Sequence, residues 1–386
     1  MPIALHTIAS SLHRGLPDAR TEKFITDIEQ ALGEKFLFCG DDFSSYGTAG
    51  CSVIYVRTGG TEGIFRNLGL KGEIRLLTSG CRNSLAAAME ILSFVNKNGG
   101  RGEILHGDAE YIASRLRGQD SATADDCSSP AGAKCWLKEL PKCDFAGARL
   151  GVIGRPSDWL ISSDVDYVAA REKLGLELVD IDIDELVALV RKSDCDLRSF
   201  AGSEVVYDAL KQIVAKYTLS GLTLRCFDLL DSIGNTGCLA LARLNSEGIP
   251  SCCEGDVPAL ITMMLAQKLC GCPGFQCNLS RITGDELLFA HCTVPLSMVR
   301  SFKYDTHFES GIGTAVKGEI PEGEVTILKV APDLSCIAEI PGEIVCNRSE
   351  PDLCRTQIVV KAPGAAEYFL RSPLANHHVV VPKGCS

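Results

Sequence analysis

The chain has 386 residues, of which 46% are hydrophobic and 23% charged, and its formal net charge is −11. That length suits two or three domains with ordinary packed cores, and the acidic balance argues against a general nucleic-acid or membrane-surface binder. No uncharged apolar run reaches transmembrane length, and residues 1–20 lack the basic start and apolar core of a signal peptide. Nineteen cysteines occur; Cys39, Cys226, Cys238 and Cys292 sit inside apolar runs, and no Cys-x-x-Cys is present. Reduced thiols packed as small hydrophobes in a cytoplasmic protein are expected.

Residues 1–117 alternate strand and helix signals. Strands are expected at 35–40 (KFLFCG) and 51–57 (CSVIYVR), both buried, and at 74–79 and 103–106. Asn83 opens a helix that Gly99 ends. Such alternation implies a parallel sheet with helices on its faces, an N-terminal α/β domain. The loop Thr58-Gly59-Gly60-Thr61-Glu62-Gly63 follows a strand directly. Its N–H groups could cradle an anion. It lacks both the dinucleotide fingerprint and the phosphate-loop lysine, so a tight turn is the favoured reading. His6, His13 and His106 have no polar company in the sequence and are expected to be incidental.

Residues 118–144 read as a linker, polar and small over 118–133 (GQDSATADDCSSPAGA). A second α/β domain is expected over 145–270. Its strand at 149–154 carries Ser157, Asp158 and Trp159 beyond its carboxyl end. Helix 167–174, strand 176–183, helices 184–192 and 203–217, strand 222–229 and helix 237–248 follow. Over 271–386 strands succeed one another at 287–292, 311–316, 324–330, 336–340, 356–361 and 378–381, with Gly and Pro between them. That texture predicts a C-terminal antiparallel β domain, a small barrel or curled sheet. The expected fold class is therefore two doubly wound, flavodoxin- or Rossmann-like α/β domains followed by antiparallel β structure.

The chemistry concentrates between residues 248 and 295. Glu254 and Asp256 follow Cys252-Cys253 at the mouth of a helix with Leu260, Ile261, Met264, Leu265 and Leu269 at helical spacing. Pro258 suits its first turn, and Gly271 with Pro273 stops it. Capping is the plain reading of two acids at a helix start. Their position, a strand end feeding a helix, is also where ligands of α/β sheets collect. On a continuing helix the two would lie about 200° apart, so Asp256 is expected to point away from Glu254. Asn278 sits on the next strand and His291-Cys292 at the end of the one after. His307 and Glu309, two apart, would share a strand face, and Asn376-His377-His378 precede a buried strand. Each histidine taken singly is more often structural. A carboxylate, an amide and an imidazole together would suit manganese or magnesium better than zinc. A zinc cluster of Cys270, Cys272, Cys277 and His291 is the alternative, without the spacing of a structural knuckle.

Cys253-Glu254-Gly255-Asp256, Gly271-Cys272-Pro273-Gly274-Phe275, position 278, His291-Cys292 and Asn376-His377 together resemble the L-fucose isomerase and L-arabinose isomerase superfamily, L-fucose isomerase more closely. The resemblance is good over 222–292, acceptable at the Asn-His tail, and confined to α/β texture in the N-terminal half. The chain is also considerably shorter than those enzymes. The resemblance implies two α/β domains and a C-terminal antiparallel β domain, an active site between the last two, and a homo-oligomer, trimer or hexamer. It implies a metal site of Glu254, Asn278 and His377 holding manganese or magnesium, and catalytic roles for Glu254, Asn278 and His291. His378 and Glu309 are further candidates for the wall. One position departs: the family's aspartate is Asn278 here. An amide ligates through its oxygen but is no base at neutral pH. The expected function is an aldose–ketose isomerase acting on a pentose, hexose or deoxyhexose through an ene-diol. The alternative is a sugar or sugar-acid binding protein of the same fold.

Overall fold

The computed structural model describes residues 2–11, 15–48, 50–118 and 136–383. His13 and most of the expected linker, 119–135, lie outside the described residues.

The first sheet is parallel and built from β1 (Ala4–Ile8), β2 (Leu37–Gly40), β3 (Ser52–Val56), β4 (Glu73–Thr78) and β5 (Arg101–Leu105), in the order β2-β1-β3-β4-β5. Helices Lys23–Leu32, Glu62–Leu68, Ser84–Lys97 and Ala109–Leu116 connect the strands or follow them. The alternation of signals in 1–117 had this cause. Two details differ from expectation. β1 was not anticipated because its run carries His6 and Thr7. His6 is fully buried, donates from Nδ1 to the Asp42 carbonyl at 2.8 Å and stacks on Phe43, so it is not incidental. β2 is an edge strand with Leu37 half exposed rather than a buried one.

After β6 (Leu137–Glu139) the second parallel sheet contains β7 (Arg149–Ile153), β8 (Glu177–Ile181), β9 (Gly221–Leu224) and β10 (Ser251–Cys253), in the order β10-β9-β7-β8. Its helices are Tyr167–Leu174, Ile183–Val190, Phe200–Tyr217, Asp228–Ile233 and Cys238–Ser246. The strand expected over 222–229 stops at Leu224. The Cys226 N–H turns back to the Leu224 carbonyl, and Asp228–Ile233 is helical, burying Leu229 and Ile233 on one face.

The remaining strands are β11 (Phe275–Thr283), β12 (Glu286–His291), β13 (Ser301–Asp305), β14 (Ala315–Glu319), β15 (Gly323–Val330), β16 (Cys336–Arg348), β17 (Thr356–Lys361) and β18 (His378–Pro382). Strands β15, β18, β11, β12, β17 and β16 pair antiparallel in that order, and β16 closes back onto β15, making a barrel. Closure leaves no unpaired edge within the ring, while β6 extends it beside β16. β13 and β14 form a separate hairpin, and β14 begins at Ala315, later than expected. His307 and Glu309 therefore lie in the loop between them and share no strand face.

Helix Val257–Cys270 is wedged between the second sheet and the barrel. Leu260, Ile261 and Leu265 pack among Leu150 and Val152 on one side and Val330, Val379 and Val381 on the other. The helix is buried all round from Val257 to Ala266, not along one stripe, and Leu269 is half exposed. Asp256 caps it, Pro258 occupies its first turn, and Gly271 ends it at a φ of 70°.

Polar side chains tie the three sheets together. Glu90, fully buried on helix Ser84–Lys97, accepts from the N–H groups of Ser162 (2.7 Å) and Asn376 (2.9 Å) and from the Ser163 hydroxyl (3.1 Å). His106, just beyond β5, accepts from the Ile282 N–H of β11 at 3.0 Å through Nε2, and its Nδ1–H donates to Thr78 Oγ1 at 2.8 Å. It too is structural rather than incidental. No helix among the described residues is long and apolar enough to cross a membrane. Every cysteine among the described residues is unbridged.

Two predictions follow from this packing. Thiol titration of the denatured protein without reductant returns nearly all nineteen cysteines; several stable disulfides would contradict the reduced state. Burial, with Arg281 nearby, pulls His106 down to about 4, and burial pulls His378 down to about 3. An unfolded histidine binds its proton near 6.5, so acidification favours the unfolded chain. Stability is fully present above that pH and falls as the pH drops from 6.5 toward 4, by about 1 kcal/mol per unit and group. Burial raises the carboxyls of Glu62 and Glu90, which act in the opposite sense, so the test is a difference: between pH 7 and 5 the unfolding midpoint of the parent should fall relative to that of His106→Gln. An equal slope in that variant would remove His106 from the account.

Candidate metal centre

β10 delivers Glu254 to the site through two left-handed residues. Glu254 has a φ of 63° and Gly255 one of 62°. A non-glycine residue there is uncommon and costs backbone strain. The turn is also tight: a Cβ on Gly255 would lie 2.9 Å from the Arg155 carbonyl and the Ser157 N–H. The Ser157 hydroxyl donates to the Glu254 carbonyl, holding the strained peptide in place. Gln276 of β11 accepts from the Cys253 N–H at 2.7 Å, which sets β10 against the barrel strand that carries Asn278.

This turn overturns the expected separation of the two acids. The helix begins only at Val257, so its period does not apply across Glu254 and Asp256. Both carboxylates reach the same imidazole. His377 Nδ1 lies 2.9 Å from Asp256 Oδ2, and Nε2 lies 3.5 Å from Glu254 Oε1. Asp256 uses its other oxygen to accept from the Ala259 N–H at 2.7 Å, so one buried side chain caps the helix and orients the histidine. Lys329, fully buried, stands 3.6 Å from the same carboxylate.

His291, at the end of β12, completes the group. Its Nε2 is 3.8 Å from Glu254 Oε1, and its Nδ1 meets Thr293 Oγ1 at 2.9 Å. One ligand atom from each of Glu254, His291 and His377 lies within 4.8 Å of the others. With each Nδ1 engaged elsewhere, both Nε2 lone pairs are free to face a cation. Among the described residues, His377 Nε2 and Asn278 Oδ1 are buried without a hydrogen-bond partner, and such orphaned polar atoms need one. The three residues therefore fit a metal ion, with Asp256 as the outer carboxylate that aims and polarises a ligating histidine. Cys270, Cys272 and Cys277 form no such group with His291 among the described residues.

The electrostatics agree. Burial alone would raise the Glu254 carboxyl, but His377 and His291 outweigh it and hold it well below the usual carboxylate range. Burial disfavours a charged His377, yet Glu254 and Asp256 prevail and lift it to about 10. Without metal the site thus stores a proton where a cation would sit.

The group opens into a cavity of about 320 Å³, the lower end of the range for small-ligand sites. Glu254, Asn278 and Asn376 line one part of it. Ser10 and Gly59-Gly60 line another, beyond the ends of β1 and β3; Trp159, Phe227 and Asp228 lie beyond the ends of β7 and β9. In both sheets the strand order reverses between those neighbours, and ligands bind at such switch points. The cavity lies where the two switch points and the barrel meet. Trp159 donates from Nε1 to Glu254 Oε2 at 3.3 Å, and Glu309 accepts from Asn83 Nδ2 at 2.9 Å on the wall. His378 does not join them: its ring is spent on the Asn376 carbonyl and Tyr368. The Thr58–Gly63 loop is more than a turn, since Gly59, Gly60 and Glu62 all face the cavity. Its position directly after a strand was the available signal. Asp228 was hidden inside a misread strand, Asp231 lay in a stretch read as neither strand nor helix, and Gln276 gave no signal at all.

No family model matches the chain. It is similar to the sulfoquinovose isomerase of Alkalicoccus urumqiensis, at 24% identity over 152 residues, which cover 37% of this chain and 34% of that protein. The chain thus matches about a third of that relative's length.

Calorimetric titration with manganese should give one site per chain, lost in Glu254→Ala. Asp256→Asn should weaken it about 10–100-fold by releasing His377. Because a ligating imidazole must be neutral, binding expels the His377 proton, and affinity should rise as the pH is raised from 6 to 8. No heat with the parent protein, or equal affinity in Glu254→Ala, would remove the site.

Proposed function

We propose that the protein is a divalent-metal-dependent aldose–ketose isomerase acting on a pentose, hexose or deoxyhexose. The observation that carries this reading is the convergence of Glu254 Oε1 with the Nε2 atoms of His291 and His377 beside a sugar-sized cavity. Similarity to a protein named as a sugar isomerase supports the same reaction class. Glu254, His291 and His377 would hold the ion, with the Asn278 amide oxygen as a further candidate. Two imidazoles favour manganese or another transition ion over magnesium. A cation bound there would polarise the sugar carbonyl and ease ionisation of the neighbouring hydroxyl.

The chain's own residues supply the rest. The histidines hold Glu254 ionised, and its Oε2 accepts from Trp159 at 3.3 Å. It is the acceptor proposed for the C2 proton, giving an ene-diol after protonation of O1, and it returns the proton to C1. His291 belongs with the ligands, because its Nδ1 is already engaged by Thr293 and its Nε2 faces Glu254. Asn278 positions and does not exchange protons. That amide is also the observation favouring a second reading, a sugar or sugar-acid binder without turnover.

Proton NMR of an aldose panel in deuterated buffer with manganese separates the two. An isomerase exchanges the C2 proton of at least one sugar; Glu254→Gln abolishes the exchange, while Asn278→Asp retains or raises it. A binder shows no exchange, yet one sugar raises its melting temperature. Exchange undiminished in Glu254→Gln would sink the mechanism.

A further inference from the structure

The isomerase reading leaves one requirement unmet. Moving a hydrogen from C2 to C1 also moves a proton from O2 to O1, and a single carboxylate busy with the carbon-borne proton cannot serve both. The amide of Asn278 cannot help.

A second carboxyl stands in the same cavity, carried by the first sheet. Glu62 lines it together with Glu254 and Asn278. It is only 3% exposed, and its Oε2 is buried without a hydrogen-bond partner. No salt bridge among the described residues accounts for it as a structural ion pair, although lone charged side chains are rarely buried without a reason. The loop that presents it is fixed by hydrogen bonds. The Gly59 N–H donates to the Arg82 carbonyl at 2.8 Å, the Ser10 N–H donates to Thr58 Oγ1 at 2.9 Å, and the Thr61 hydroxyl donates to the Thr58 carbonyl at 3.1 Å. Gly59 has no room for a side chain: a Cβ would lie 2.9 Å from the Asn83 Cβ. Gly60 takes a φ of 70°. The two glycines are thus what lets the loop close against the neighbouring helix and turn Glu62 inward.

We propose that Glu62 is a catalytic residue of this isomerisation: it handles the oxygen-borne proton, while Glu254 handles the carbon-borne one. In the aldose-to-ketose direction Glu254 takes the C2 proton and the Glu62 carboxyl gives its proton to O1, forming the neutral ene-diol. The Glu62 carboxylate then takes the proton of O2, and Glu254 delivers its proton to C1. Both residues finish in their starting states and no other reactant is consumed. Their environments match these roles. Burial, reinforced by Glu90, Glu254 and Glu309, pushes Glu62 up to about 8, whereas the histidines hold Glu254 ionised. Two carboxyls forced apart in this way are how one site runs acid and base chemistry at neutral pH.

The proposal rests on the isomerase reading, and the test keeps the two apart. The parent protein, loaded with manganese, is assayed on the aldose panel beside Glu62→Gln and Glu62→Asp, with manganese affinity measured for each. With an active parent, Glu62→Gln should lower kcat by about 10²–10⁴-fold, with KM and manganese affinity within a few-fold of the parent. Glu62→Asp, which keeps the acid, should recover part of the loss, and serves if the glutamine variant does not fold. A Glu62→Gln rate within threefold of an active parent would overturn the role of Glu62 alone. So would a loss explained by metal affinity or KM. A parent inactive on every aldose would overturn both readings.

Discussion

The site depends on a carboxylate shared by two elements distant in the chain. Asp256 begins the helix that separates the second sheet from the barrel, and with its other oxygen it fixes the imidazole of His377 just before β18. It is fully buried, as are His377 and Lys329 beside it. Breaking one member of such a buried charged group costs about 3–5 kcal/mol, because its partner remains in a low-dielectric interior. The same constraint serves both stability and chemistry: the helix cap that orders residues 257–270 also sets the direction in which His377 offers Nε2.

Around that group, three sheets supply different parts of one cavity. The two parallel sheets follow the same strand logic, each leaving a crevice where its order reverses. The barrel places Asn278 and His291 against those crevices from adjacent strands. Glu90 holds the arrangement, accepting from the backbone of Ser162 and Asn376 and so joining the first sheet's helix to segments flanking the other two. Burial raises the Glu90 carboxyl, with Lys329 opposing. Unlike Glu62 it is fully engaged by donors, which marks it as a tie.

The cavity wall among the described residues is rich in carboxylates: Glu62, Asp228, Asp231, Glu254 and Glu309. Such a lining favours a cation over an anion, while the His377 proton is held by Glu254 and Asp256. A small void behind Glu254 is lined by the thiols of Cys226, Cys238, Cys253, Cys292 and Cys354 together with His291, His307 and Glu309.

Much of this was legible from local signals. Periodicity and turn residues located most strands and helices, because those depend on near neighbours: Gly271 ends its helix wherever the helix lies. The Cys-Glu-Gly-Asp step, His291 and His377 could be picked out as chemistry because charged and imidazole groups interrupt apolar runs. What the chain alone could not show was which of them meet. The expectation that Asp256 points away failed because Glu254 and Gly255 leave the helical region, a backbone state imposed by close packing against Arg155 and Ser157. Asp228 was misread because a short buried strand and a short buried helix look alike in apolar pattern. Glu62 was hidden for a different reason. In sequence it is an ordinary acid at a helix start, and only the assembled fold buries it, leaves its Oε2 without a partner among the described residues and places it on the same cavity as Glu254. Local propensity determined the elements; the meeting of carboxyls and imidazoles far apart in the chain was decided by packing, because burial and long-range charge exist only once the sheets are assembled.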